Sequence, residues 1–180
     1  TGQVKEINII RAPSHAPDVT AAVREMIQRV TPFPTPARMG GGNVAWTETW
    51  ERAREWLRAK VEPTGAQLEV DEAGNQWFTL RGRSERALLI GGHIDSVPNG
   101  GWLDGCLNVL AGVEVLRRVA EEGEPPVTVR LVDWADEEGA RFGRSLFGSS
   151  AAAGSMADQD ELRALTDRDG VALPDALREH

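Results

Sequence analysis

The chain has 180 residues, enough for one domain with its own core, and its 41% hydrophobic content is that of an ordinary globular protein. A formal charge of −8 argues against nucleic acid and anionic membrane surfaces as partners, since both need a basic face. No apolar run approaches the ~20 residues that span a bilayer, the N-terminus carries no leader pattern, and the single cysteine, Cys106, rules out an internal disulfide, so the expected setting is a reducing cytoplasm.

Residues 1–17 show no period, carry Pro13 and Pro17, and read as an arm. Asp18 can cap a helix over residues 18–30, where Ala22, Val23, Met26, Ile27 and Val30 fall at helical spacing. Residues 31–44 are rich in Pro and Gly and read as a loop. A second helix is predicted over 47–61. Its stripe of Trp50, Ala53, Trp56, Leu57 and Val61 reads as a core face rather than an aromatic binding surface. Residues 67–70 and 76–80 read as strands joined by the turn DEAGN, with Gly74 and Asn75. A third strand covers 87–91, and its apolar run from Ala87 to Ile90 is expected to be buried.

A long helix should start soon after Asp104, bury Leu107, Leu110, Val113, Leu116 and Val119, and end near Gly123. Pro125 and Pro126 then stop it. Residues 127–134 form an apolar strand. Residues 144–154 are small and Gly/Ser-rich, and two short helices are expected over 158–166 and 174–178. Strand, helix, strand between 87 and 134 is one βαβ unit, which predicts a parallel pair with a right-handed crossover.

Two segments carry chemistry. GGHIDSVPNGGWLDG, residues 91–105, follows the third strand, and WADEEGARFG, residues 134–143, follows the fourth. In an open α/β sheet, ligands bind beyond the carboxyl ends of such strands. The His93 imidazole is a good ligand for zinc, cobalt, nickel or manganese, and a carboxylate such as Asp95 can fix its tautomer. His-x-Asp alone is commonly structural. Asp104, in a Gly-rich loop ahead of a helix, suits either an N-cap or a carboxylate that bridges two metal ions. Of Glu137 and Glu138, one can ligate a metal while the other takes a proton from water. Asp133 and Asp136 make the same edge acidic. Cys106 reads as a small core residue, with no neighbouring base to activate it.

With these motifs, with VLAGVEVLR and DEEGARFGRSLFGSSAAAG, and with DRDGVALPDAL at 167–177, the chain resembles the M20-type metallopeptidase clan. More narrowly it resembles the amidase, hydantoinase and carbamoylase branch, which comprises N-carbamoyl-L-amino-acid hydrolases, β-ureidopropionases and allantoate amidohydrolases. The likeness runs from about residue 37 to the end and covers the N-terminal portion of such proteins.

The resemblance implies an α/β fold with a mixed sheet flanked by helices. Residues 37–180 would be the N-terminal part of a binuclear metallohydrolase catalytic domain, behind an arm and helix over 1–36, without the lid and dimerisation domain. It implies two divalent metal ions (Zn, Mn, Co or Ni). His93 would bind one, Asp104 would bridge both, and Glu138 would bind the second. Glu137 would be the general base and Asp95 would orient His93. The implied substrate is an N-carbamoyl amino acid or another small amide.

Asn108 stands where the family has a small glycine, and Trp134 is bulky for its place. Family members also carry further His ligands in a later part. Here the other histidines are His15 and His180, neither expected to ligate. The remaining ligands would then come from a second polypeptide or a missing segment. Two other readings stay open: an M20-type peptidase or deacylase, and a non-catalytic truncated paralogue that serves as a binding subunit.

Overall fold

The structure, a computed structural model, describes residues 42–101, 103–156 and 159–180. The helix expected over 18–30, the loop over 31–41, His15 and Trp102 lie outside these residues.

Helix α1 (Glu48–Val61) opens on Thr47, whose hydroxyl accepts from the Trp50 N–H. Glu48 and Glu51 lie in its first turn, and Arg58 and Lys60 in its last, each matched to the helix dipole. Trp50, Ala53, Leu57 and Val61 are buried as their spacing predicts. Trp56 is half-buried, and the charged Arg54 lies inside the buried stripe. A 3₁₀ turn (Glu62–Thr64) ends on Gly65, at φ +75°, and delivers the chain to strand β1.

Strands β1 (Gln67–Val70) and β2 (Gln76–Leu80) form an antiparallel hairpin over the predicted residues. Its turn is built by Asp71, whose carboxylate accepts the N–H groups of Ala73 and Asn75. Strand β3 (Ala87–Gly92), helix α2 (Cys106–Glu121) and strand β4 (Thr128–Asp133) then make the βαβ unit, with β3 and β4 parallel. β4 also pairs antiparallel with β2, so the sheet is mixed and runs β1-β2-β4-β3.

Side-chain alternation points Phe78, Val129 and Leu131 to one face of this sheet. There they pack with Ala53, Leu57 and Val61 of α1 and with Val109, Val113 and Leu116 of α2. The buried stripe of α2 therefore differs from the expected one: Val109 and Gly112 are inside, while Leu107 and Val119 are half-buried. Val109, Val113 and Leu116 repeat at four and three residues, and Gly112 brings the helix onto the sheet. A Cβ at Gly112 would meet Leu131 Cδ1 at 2.4 Å.

The third strand corrects a second expectation. Ala87, Leu88 and Leu89 are exposed, with Leu88 at 53% and Leu89 at 49%. β3 is an edge strand, and its outer side meets no further strand among the described residues. Leu88 and Leu89 point to opposite faces, so both faces are open here, although parallel strands are normally covered on each side.

Beyond the sheet, helix α3 (Phe147–Ala152) occupies a stretch whose small residues gave no helical signal, and α4 (Gln159–Arg163) and α5 (Leu173–Glu179) follow. A second core joins them. Trp46 meets Trp50, Phe142 and Phe147 edge-on, beside Leu173 and Ala176. Among the described residues no helix is long and apolar enough to cross a membrane.

Candidate metal centre

β3 and β4 end side by side at Gly92 and Asp133. The ladder runs one step further, with Trp134 N–H donating to Gly92 O at 2.8 Å, and the chains then diverge. Both motif segments leave from this one place. Burial of their backbones forces each N–H to find a partner, and side chains of the motifs supply several. The Asp95 carboxylate, 1% exposed, accepts the N–H groups of Glu137 at 3.2 Å and Glu138 at 3.0 Å. Carbonyls of Ala135, Asp136 and Glu137 accept from Gly148, Phe147 and Leu146, so the start of α3 secures the same loop from behind.

His93 is buried. Its Nδ1 lies 3.0 Å from the Asp95 carbonyl oxygen and 3.6 Å from its carboxylate, and its Nε2 lies 3.3 Å from Glu137 Oε2. The ring packs on Gly105, where φ is +65° and a Cβ would meet ring atoms at 2.4 Å. Asp104 is the chain neighbour of that glycine. α2 starts at Gly105 without any side-chain cap, so Asp104, which is exposed, does not serve as the helix cap. Gly92 leaves the room that the exposed Asn108 uses: a Cβ there would meet Asn108 Cβ at 2.8 Å.

The electrostatics are those of crowded carboxylates. Burial works to lower the His93 pKa, but the hydrogen bond and charge of Asp95, with Glu137, outweigh it and lift the group to about 9. Desolvation raises Glu138 above its ordinary value; Asp104, Glu137 and Asp95 add to this and His93 opposes it. Asp136 is 1% exposed, its backbone is strained at φ +49°, and neither carboxylate oxygen finds a well-formed hydrogen bond among the described residues. Burial and the Asp95 charge push it up to about 7, while the Gly139 N–H and Arg141 pull only weakly the other way. Asp133, read from sequence as part of the acidic edge, turns instead to Arg54 of α1, at 3.1 Å. Burial pushes the Cys106 thiol up to about 12, with Asp133, Asp95 and Asp104 adding to it, which makes it an inert thiol.

The matching family model is that of peptidase family M28, over residues 75–178. The chain belongs to peptidase family M28. Its relatives lie in the carbamoylase branch that the motifs pointed to. The N-carbamoyl-L-amino acid amidohydrolase of Geobacillus stearothermophilus is 36% identical over 78% of this chain and 34% of that protein. The allantoate amidohydrolase of Bacillus subtilis is 29% identical over 89% of this chain and 40% of its own length. A crystal structure of a hydantoinase/carbamoylase family amidase from Burkholderia ambifaria aligns with a TM-score of 0.73 and 31% identity, over 91% of this chain and 40% of that one. The chain thus spans two fifths or less of these relatives, and the part it matches is their N-terminal part.

In this M28 chain, His93, Asp95 and Glu137 are in direct contact, and Glu138 stands near enough to feel their charges and that of Asp104. One imidazole among carboxylates that repel one another is a donor set suited to a divalent cation. Among the described residues, however, no group of three or more His, Cys, Asp or Glu side chains is arranged to hold a metal ion. Sequence reasoning missed Arg54 and Asn43. A charge inside the apolar stripe of α1 was the available signal for Arg54, since a buried guanidinium requires a partner. Nothing local marks Asn43, whose Nδ2 donates to Ile94 O across 51 residues.

Proposed function

We propose that this chain is the N-terminal part of a binuclear metal-dependent amidohydrolase that cleaves a linear C–N amide bond, that of N-carbamoyl-L-amino acids. Residues 37–180 are its incomplete catalytic domain and 1–36 an N-terminal arm and helix. The observation that carries the reading is the convergence at one sheet end: Asp95 receives the Glu137 and Glu138 N–H groups while His93 touches both Asp95 and Glu137. The relatives' names give the substrate class.

In this reading His93, Asp104 and Glu138 would hold the divalent ions. When bound, two divalent ions polarise the scissile carbonyl and lower the pKa of water. Glu137 takes the proton of the attacking water and returns it to the leaving nitrogen. Asp95 holds Glu137 through its carboxylate, at the backbone N–H, and His93 through its backbone carbonyl, 3.0 Å from Nδ1, so one buried residue sets the geometry of base and ligand together. The products of a carbamoyl substrate are amino acid, carbon dioxide and ammonia.

The remaining ligands, the further histidines of the resemblance above, come from the rest of the fold, on a second polypeptide or a continuing segment. The open edge of β3, apolar on both faces, supports this: it is the seam where such a segment joins the sheet. Cys106, unpaired by disulfide and inert, fits a cytoplasmic enzyme.

Native mass spectrometry of the purified protein, with an ammonia-release assay on N-carbamoyl amino acids, tests the reading. A complex with a second polypeptide, two metal ions and turnover is expected. A bare chain or homo-oligomer that takes up no zinc or manganese, and stays inactive when the missing segment is supplied, would overturn it.

A further inference from the structure

We infer that the buried Arg54–Asp133 pair positions the His93–Asp95 segment, with Asp133 gripping the Ile94 N–H between the two site residues and Arg54 fixing Asp133. The naming of His93 and Asp95 as site residues rests on the reading above; the grip itself is a property of the fold.

Arg54 and Asp133 are 1% and 0% exposed, and Arg54 Nε lies 3.1 Å from Asp133 Oδ2. Arg54 is held in turn, with its guanidinium 4.1 Å from the centre of the Trp50 ring and its Nη2 donating to the Gly74 carbonyl. The second oxygen, Asp133 Oδ1, accepts the Ile94 N–H at 2.9 Å. Ile94 is where β3 leaves its ladder, so this N–H passes to a side chain instead of to β4's backbone. Asn43 grips the same segment from the other side. It donates to Ile94 O at 2.8 Å, and its backbone exchanges hydrogen bonds with Ser96. Asp133 acts one peptide earlier, at the N–H of the peptide that joins His93 to Ile94.

From there the restraint runs onward. Ile94 fixes Asp95, and Asp95 fixes the Glu137 and Glu138 N–H groups. A buried ion pair is a poor way to gain stability, because apolar residues of equal volume commonly do as well. A carboxylate at 133 is needed for a different reason: it offers an acceptor to Ile94, and Arg54 balances the charge that this acceptor brings inside.

Two double variants of the full metal-free chain separate positioning from support: Arg54→Met with Asp133→Asn, and Arg54→Met with Asp133→Leu. Both remove the charges together. Only the first keeps an acceptor for Ile94. Amide hydrogen exchange by NMR is read at Glu137 and Glu138, which touch Asp95 and not Asp133, against Leu131 as an internal core reference. The Asn variant should keep their protection, and the Leu variant should lose it by roughly tenfold or more, the scale of one hydrogen bond. Equal protection in both variants, or equal loss in both, would overturn the inference. If either variant fails to fold, the parent chain decides: a scalar coupling from Ile94 N across the hydrogen bond to Asp133 Cγ supports it, and no coupling overturns it. Since neither metal nor substrate is added, failure of the amidohydrolase reading leaves this result intact.

Discussion

Strand β4 passes through two environments within a few residues. Its middle, Val129 and Leu131, lies in the apolar core between the sheet and helices α1 and α2. Its end and the loop beyond carry Asp133, Asp136, Glu137 and Glu138, with Asp95 facing them. The middle is packed and satisfied. The end holds carboxylates that burial and mutual repulsion push above their ordinary pKa values, Asp133 to about 6 and Asp136 to about 7. The contrast teaches that one strand divides its labour. The body supplies the stability that lets the end keep a strained, cation-seeking arrangement.

The sharpest way to break that comparison is at Glu137. If the proposed amidohydrolase reading holds, Glu137→Gln should lower turnover by about 10²–10⁴ and leave metal content and thermal midpoint unchanged. A variant that loses its metal would make Glu137 a ligand rather than the base. Next in size is the body: Leu131→Ala should cost about 2–5 kcal/mol in urea unfolding. If it also freed the Glu137 and Glu138 amides before global unfolding, body and end would be one unit rather than two.

Asp136 sharpens the comparison through pH. Its folded pKa of about 7 lies above its ordinary 3.8, so the folded state holds the proton longer. The stability tied to that proton is full below pH 4 and is lost as pH rises through 7. Asp136→Asn cannot ionise. In metal-free protein it should match the parent near pH 4 and exceed it near pH 8 by roughly 1–3 kcal/mol. His93, raised to about 9, adds a further decline between 6.5 and 9 to both proteins and cancels from the difference. Urea midpoints at pH 4 and 8 check this, and a difference that does not change with pH would show the Asp136 charge to be matched in the fold. The smallest effect belongs to the surface: Arg118→Ala, which removes the exposed pair with Glu122, should change stability by less than about 0.5 kcal/mol.

Much of this was legible in the chain itself. The hairpin turn announced itself through Asp71, Gly74 and Asn75, and the alternation of QWFTL placed β2. The βαβ unit followed from two apolar runs around one helical period. What periodicity cannot carry is context. The run Ala87 to Ile90 reads as buried because it is apolar, yet burial depends on a neighbouring strand that the run does not encode. α3 was missed because its small residues serve close approach: a Cβ at Gly148 would meet Asn75 Oδ1 at 1.9 Å. At the site, the motifs placed His93, Asp95 and Glu137 in one region. The partners that set their geometry, Arg54 and Asn43, lie far off in sequence and declare themselves only when the chain folds.

The two edges of the sheet differ in a way that bears on how the chain behaves in isolation. β1 carries Glu69 between the exposed Leu68 and Val70, and Arg130 reaches across to it at 3.5 Å, so that edge has an ion pair among its apolar side chains. β3 presents Leu88 and Leu89, and among the described residues its backbone pairs with another strand on one side only, a template that an extended segment can complete. Self-association at this edge grows with concentration. A lysine at Leu89 would act as a gatekeeper against such pairing.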